Sequence, residues 1–217
     1  MSRPVDVGLY LPQVSLSPDQ LLDRALAAER SGFHSLWLYD HLYGPGQPDR
    51  DSFEAWTAAT FLLARTERLR VGHLVLDNNL RHPALLAKMV TTLDVLSGGR
   101  VEVGIGSGSV RLEHEQLGIP WGTPAERSER LAEGLAILSA MLTQPETSFA
   151  GRHFRLESVP NLPQPVQSPR PPLHVGGMGP RFTLPLVARF ADVWNVPTYG
   201  LADWESARAQ LDRECEA

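Results

Sequence analysis

The stretch RHPALLAKMVTTLDVLSGGRVEVGIGSGS, Arg81–Ser109, reads as helix, tight turn, strand and glycine-rich loop. Pro83 suits a first helical turn, where its missing N–H leaves no bond unmade. Ala84, Leu85, Lys88, Met89, Thr92, Leu93 and Leu96 recur at helical spacing, and Leu85, Met89, Leu93 and Leu96 read as the apolar stripe. Ser97-Gly98-Gly99 stops the helix, because glycine enters the left-handed region at little steric cost. Val101, Val103 and Ile105 then alternate with Glu102, Gly104 and Gly106, a short strand that opens into Gly106-Ser107-Gly108-Ser109. A parallel strand opening at its carboxyl end into a functional loop is the unit of a β/α barrel.

The same rhythm extends to both sides. Upstream, Val5–Leu11 is a first strand. Ser17-Pro18-Asp19-Gln20 is a capping box whose helix ends at Gly32. Ser35–Tyr39 is a second strand with Asp40-His41 at its carboxyl end, and Leu42–Arg50 is a loop. A second helix spans Asp51 to about Arg65, with Asp51 and Glu54 as a capping pair, and Arg70–Leu76 is a third strand ending in Asp77-Asn78-Asn79. Downstream, Thr123-Pro124-Ala125-Glu126 caps a helix running to about Leu142. Gln144–Pro172 then breaks the period with a proline-rich excursion, in which Ser148–Leu156 forms a small hairpin. Leu173–Val175 is a fifth strand opening into Gly176-Gly177-Met178-Gly179, and a helix follows to about Phe190, kinked or delayed by Pro185. Ala191–Val196 is a sixth strand and Leu201–Ala217 a last helix. Strands about 30 residues apart, each followed by a helix, give a parallel sheet under helices. About six βα units fit in one domain over 1–217, which suits an α/β, TIM-type barrel lacking its last two strands; a doubly wound open sheet is the alternative, but its first βα turn usually carries glycines and Leu11–Ser17 has none.

Composition narrows the function classes. Hydrophobic residues make up 42% and charged residues 21% of the 217, an ordinary globular balance. A net charge of −5 gives no electrostatic basis for nucleic acid or an anionic membrane as partner. Cys215 is the one cysteine, which excludes a disulfide framework and fits a reducing cytoplasm. MSRPVDVGLYLPQ has no long apolar signal core, and no run of about 18 apolar residues is present.

Asp40-His41, Asp77-Asn78-Asn79, Ser107–Ser109, Gly176–Gly179 and Asn195 all fall just after strands, so a barrel brings them to one face. Gly176-Gly177-Met178-Gly179 serves either as a phosphate cradle or as a plain tight turn, and Arg181 behind it favours phosphate. His41 reads as a proton donor or acceptor near neutrality, or as a histidine held by its hydrogen bonds. His73, inside a strand, reads as a core histidine and His82 as helix entry. Glu113 and Glu115 read as a solvated face. The histidines show no metal-ligand spacing, so no metal is expected.

GFHSLWLYDH, ALLAKMVTTLDVLSGGR, GIGSGS, LGIPW, FAGRHFRL, PVQSPRPPLHVGG and ARFADVWN together resemble the bacterial luciferase-like oxidoreductases, closest to members dependent on the deazaflavin coenzyme F420. The resemblance implies a TIM-type barrel with F420, or alternatively FMN, at its carboxyl face. It implies Asp40 at the cofactor and His41 as the catalytic proton donor. It places a bulge with a non-prolyl cis peptide at His73-Leu74, with Leu76 and Asn78 bordering the ring. Ser107, Gly108, Gly176, Gly177 and Gly179 would hold the ribityl-phosphate. Arg152, Arg155 and Arg181 are the basic residues available for an acidic tail. The implied reaction is hydride transfer between reduced deazaflavin and a small organic substrate. An FMN-dependent monooxygenase using oxygen is the alternative, and a non-catalytic barrel or half of a complex is the third. Ser109 stands where deazaflavin sugar-phosphate dehydrogenases carry a catalytic glutamate. Family members continue through two more strands, which leaves open a fragment, a natural short form or completion by a partner. A homodimer is expected.

Overall fold

The computed structural model describes residues 5–216. In chain order its first half comprises β1 (Gly8–Tyr10), α1 (Pro18–Arg30), β2 (Ser35–Leu38), α2 (Ala55–Leu63), β3 (Arg70–His73), β4 (Leu76–Asp77), α3 (Pro83–Ser97) and β5 (Val103–Gly106). There follow α4 (Arg111–Leu117), α5 (Pro124–Met141), β6 (Glu146–Ala150), β7 (Arg155–Pro160), β8 (Leu173–Gly176), α6 (Leu184–Phe190), β9 (Val193–Asn195), a 3-10 turn at Thr198–Asp203 and α7 (Trp204–Glu216). Strands pair in parallel in the orders β1-β2-β3 and β4-β5-β8-β9, and a parallel bridge between Val71 and Val101 joins the two sets. The result is an incomplete β/α barrel whose arc stays open between β1 and β9. β6 and β7 form an antiparallel hairpin outside it.

Local chemistry sets the element boundaries. Ser17 with Gln20, and Thr123 with Glu126, close reciprocal capping boxes in front of α1 and α5. His82 caps α3 by accepting from Ala84 N–H. Gly98, at φ 67°, ends α3 in the left-handed region. Pro185 sits in the first turn of α6, so that helix starts late rather than kinking. α2 departs from the sequence expectation. It starts at Ala55 with Glu54, not Asp51, as its cap, because Glu54 accepts from the N–H groups of Trp56 and Thr57. The third strand is split, β3 and β4 being separated at Leu74–Val75, whose peptide bond is cis. That is one residue beyond the expected His73-Leu74.

α3 buries a different face from the one its spacing suggests. Leu86, Ala87, Val90, Thr91, Leu93 and Asp94 are buried, whereas Leu85 is 56% and Leu96 75% exposed. Two polar ties to the proline-rich excursion select this face. Asp94 accepts from the N–H groups of Val166 (2.8 Å) and Gln167 (3.1 Å), and Thr91 Oγ1 accepts from Asn161 Nδ2 at 2.9 Å. Inside the arc, Trp37 meets His174 edge-on at 4.8 Å, and Glu102 accepts from His174 Nε2 at 2.8 Å and from Arg70. Among the described residues no helix is long and apolar enough to cross a membrane.

Candidate active site

The carboxyl ends of the parallel strands surround a cleft of ≈ 330 Å³. That volume lies at the small end of ligand pockets. Asp40 and His41 follow β2; Leu74, Val75 and Leu76 come from the split third strand; Ser107 and Gly108 follow β5; Gly176 and Gly177 end β8; Asn195 ends β9. The strand-end glycines have a packing role as well. An added Cβ would lie 2.9 Å from Val75 Cγ2 at Gly106 and 2.8 Å from Val75 Cγ1 at Gly176. Their bare backbone therefore seats Val75, which closes the floor beneath the cleft. Gly108 combines φ +87° with a virtual Cβ only 2.6 Å from Asp77 Oδ2, so this turn excludes a side chain.

Eight of the sequence-selected residues thus share one cleft: Asp40, His41, Leu74, Leu76, Ser107, Gly108, Gly176 and Gly177. Three do not line it. His73 is buried, stacked on Trp56 at 5.3 Å with Nε2 3.2 Å from Ala55 O, and burial pushes its pKa down. The side chain of Asn78 packs against Gly134 of α5 while its N–H donates to Gly106 O. Gly179 borders a smaller adjoining pocket of ≈ 160 Å³ with Ser107, Arg127, Ser128 and Thr183.

Asp40 borders the cleft with its carboxylate already engaged. Oδ2 accepts from Asp77 N–H at 2.9 Å and Arg81 Nη1 at 2.7 Å, and Oδ1 accepts from Arg81 Nη2 at 2.9 Å. Arg81 also reaches Glu54. Burial works to raise the Glu54 carboxyl, but hydrogen bonds from Thr57, Trp56 and Arg81 outweigh it and hold the pKa at about 2. Asp77 behaves oppositely: burial raises its pKa despite bonds from Asn79.

The expectation that Glu113 lies on a solvated face is wrong. α4, absent from the sequence reading, carries Glu113 and His114 inward, both buried. Glu113 Oε2 lies 2.9 Å from His41 Nδ1 and Oε1 accepts from Leu42 N–H. His114 Nε2 lies 3.2 Å from Asp77 Oδ2, outside good hydrogen-bond geometry, and Nδ1 lies 3.1 Å from Val110 O. Arg111 and Glu115, four residues apart between Gly108 and Gly118, were the available signal for this short helix. Arg152, Arg155 and Arg181 line neither cavity; Arg127 lines the smaller one, its guanidinium 3.8 Å from the Trp121 ring centroid and its buried Nε without a hydrogen-bond partner among the described residues.

An incomplete β/α barrel with a cleft at the carboxyl ends of its strands defines the class: a β/α-barrel protein with its polar strand-end loops gathered at one face. The chain belongs to the luciferase-like monooxygenase family, whose model matches residues 4–216. It is 32% identical over 196 residues, 88% of its length, to an F420-dependent glucose-6-phosphate dehydrogenase of Microbacterium testaceum (strain StLB037), of which it covers 56%. It is 33% identical over 225 residues to an FMNH(2)-dependent dimethylsulfone monooxygenase of Pseudomonas putida, covering 98% of this chain and 60% of that one. The fold matches an F420-dependent secondary alcohol dehydrogenase solved in complex with an F420-acetone adduct, with TM-score 0.85 and 23% identity over 97% of this chain and 64% of that one. The chain thus spans little more than half the length of the curated relatives it matches.

Proposed function

We propose that the chain forms the cofactor-binding part of an oxidoreductase that uses reduced coenzyme F420 on a small organic substrate. The observation that carries this reading is the convergence of His41, the Leu74–Leu76 backbone, Ser107 and Gly176–Gly177 on one cleft, beside a pocket holding Arg127. The residues suit a ring with an anionic tail. Leu74, Val75 and Leu76 supply an apolar wall, while the hydroxyls of Ser107, Ser128 and Thr183 and the Arg127 guanidinium, whose Nε has no partner among the described residues, suit phosphate. A deazaflavin, when bound, supplies the hydride. The protein orients the substrate against it, narrows water access, and moves a proton at His41 Nε2. Asp40, tied to Arg81, holds the β2 and β4 loop ends together rather than reacting.

The second reading is an FMN-dependent monooxygenase, favoured by the alignment with the dimethylsulfone enzyme over 98% of this chain. Fluorescence titration of the purified chain with F420 and with FMN separates the two. Saturable binding of F420 well above that of FMN is expected. Preference for FMN selects the second reading, and binding of neither overturns both.

A further inference from the structure

Two nitrogens of His41 face different surroundings. Nδ1 meets Glu113 Oε2 at 2.9 Å, whereas Nε2 has no hydrogen-bond partner among the described residues, in a side chain that lines the cleft. The Glu113 side chain is only 3% exposed, and its other oxygen accepts from Leu42 N–H, the peptide directly after His41. One carboxylate therefore holds both the ring and the backbone that carries it.

We propose that Glu113 is the positioning residue for His41, fixing the Nδ1–H tautomer so that Nε2 is the atom that exchanges a proton with substrate. This rests on the proposed role of His41 and adds a residue to it. The chemistry requires a carboxylate. Leu42 N–H is a donor that cannot change, so Oε1 must accept. An ionised Oε2 must also accept, which places the neutral ring's proton on Nδ1. When Nε2 gives up its proton, the electron pair stays on Nε2 and the ring returns to the neutral Nδ1–H form. When Nε2 takes a proton, the imidazolium lies against the Glu113 charge. A glutamine serves only one of the two donors. With its oxygen on Leu42 N–H, its NH2 faces Nδ1 and forces the proton to Nε2.

The test is the tautomer, read from 15N chemical shifts of the His41 ring in the cofactor-free chain at alkaline pH, with His41→Ala providing the assignment. Protonated Nδ1 in the parent and protonated Nε2 in Glu113→Gln are expected, together with loss of the single Nδ1–H form in Glu113→Ala. Circular dichroism confirms that each variant is folded. An Nε2–H ring in the parent, or the same tautomer in the parent and both folded variants, overturns the proposal. Because the spectra need no cofactor, that failure is separate from failure of the F420 titration.

Discussion

Arg81 holds a buried ion pair beside the cleft, and its loss should be costly. Its guanidinium is 13% exposed and forks onto Asp40, which is 2% exposed. Removing one partner of a buried pair leaves the other charge desolvated, a larger loss than the net worth of the pair. Arg81→Ala is therefore expected to destabilise by about 3 kcal/mol in urea denaturation, and more than Asp40→Asn, which keeps an acceptor for Arg81. Glu54, on the same arginine, adds a pH dependence. It stays ionised in the folded protein down to about 2, against an ordinary 4.5. Between those values the unfolded chain binds the proton first, so the stability Glu54 contributes is complete above 4.5 and is lost as pH falls toward 2. Glu54→Gln should flatten that part of the acid limb relative to the parent in matched denaturation curves; parallel curves would show that the carboxylate contributes nothing there.

At the scale of elements, α3 separates what local pattern reveals from what it hides. Leu86→Ala should cost about 2–5 kcal/mol, because the leucine is 2% exposed and leaves a cavity. Leu85→Ala, at a position 56% exposed, should stay within about 0.5 kcal/mol. Urea midpoints compared at constant m decide between this face and the one containing Leu85 and Leu96. Two capping boxes and the end of α3 were legible because their causes lie within three or four residues: Ser17 with Gln20, Thr123 with Glu126, Gly98 after Ser97. The inward face of α3 was not, because Thr91 and Asp94 are buried by partners some 70 residues away, Asn161, Val166 and Gln167. Glu113 was hidden for the same reason, since a carboxylate is expected in water until a distant histidine and N–H are seen to require it. Asp40, His41, Ser107, Gly108, Gly176 and Gly177 were legible because the end of a parallel strand is itself a sequence signal, whereas Leu74 and Leu76 were reached only through the family resemblance. Arg127 was missed because it enters from a helix rather than from a strand end.

Across the whole molecule, the ends of β2, β4, β5, β8 and β9 are short and separate, α5 lines the adjoining pocket, and α4 reaches the cleft through Glu113 on His41. A ligand seated there touches most of the barrel at once and binds only the folded state. At a free concentration of about 100 times its dissociation constant it adds about 2.7 kcal/mol of stability. For a domain of this size each kcal/mol raises Tm by about 2–4 °C, so F420 should raise Tm by roughly 5–10 °C. Differential scanning fluorimetry across a concentration series checks this, with FMN as the comparison. Arg127→Ala divides the prediction into its parts. Loss of a charge-assisted bond to an anionic tail is worth about 1.5–3 kcal/mol, which weakens binding by about 10- to 150-fold and shifts the Tm curve to higher F420 concentration. Arg127 Nη1 also donates to Gly122 O, so the variant's Tm without cofactor serves as its own baseline. An undisplaced curve would separate the adjoining pocket from the cofactor and confine the ligand to the cleft around His41.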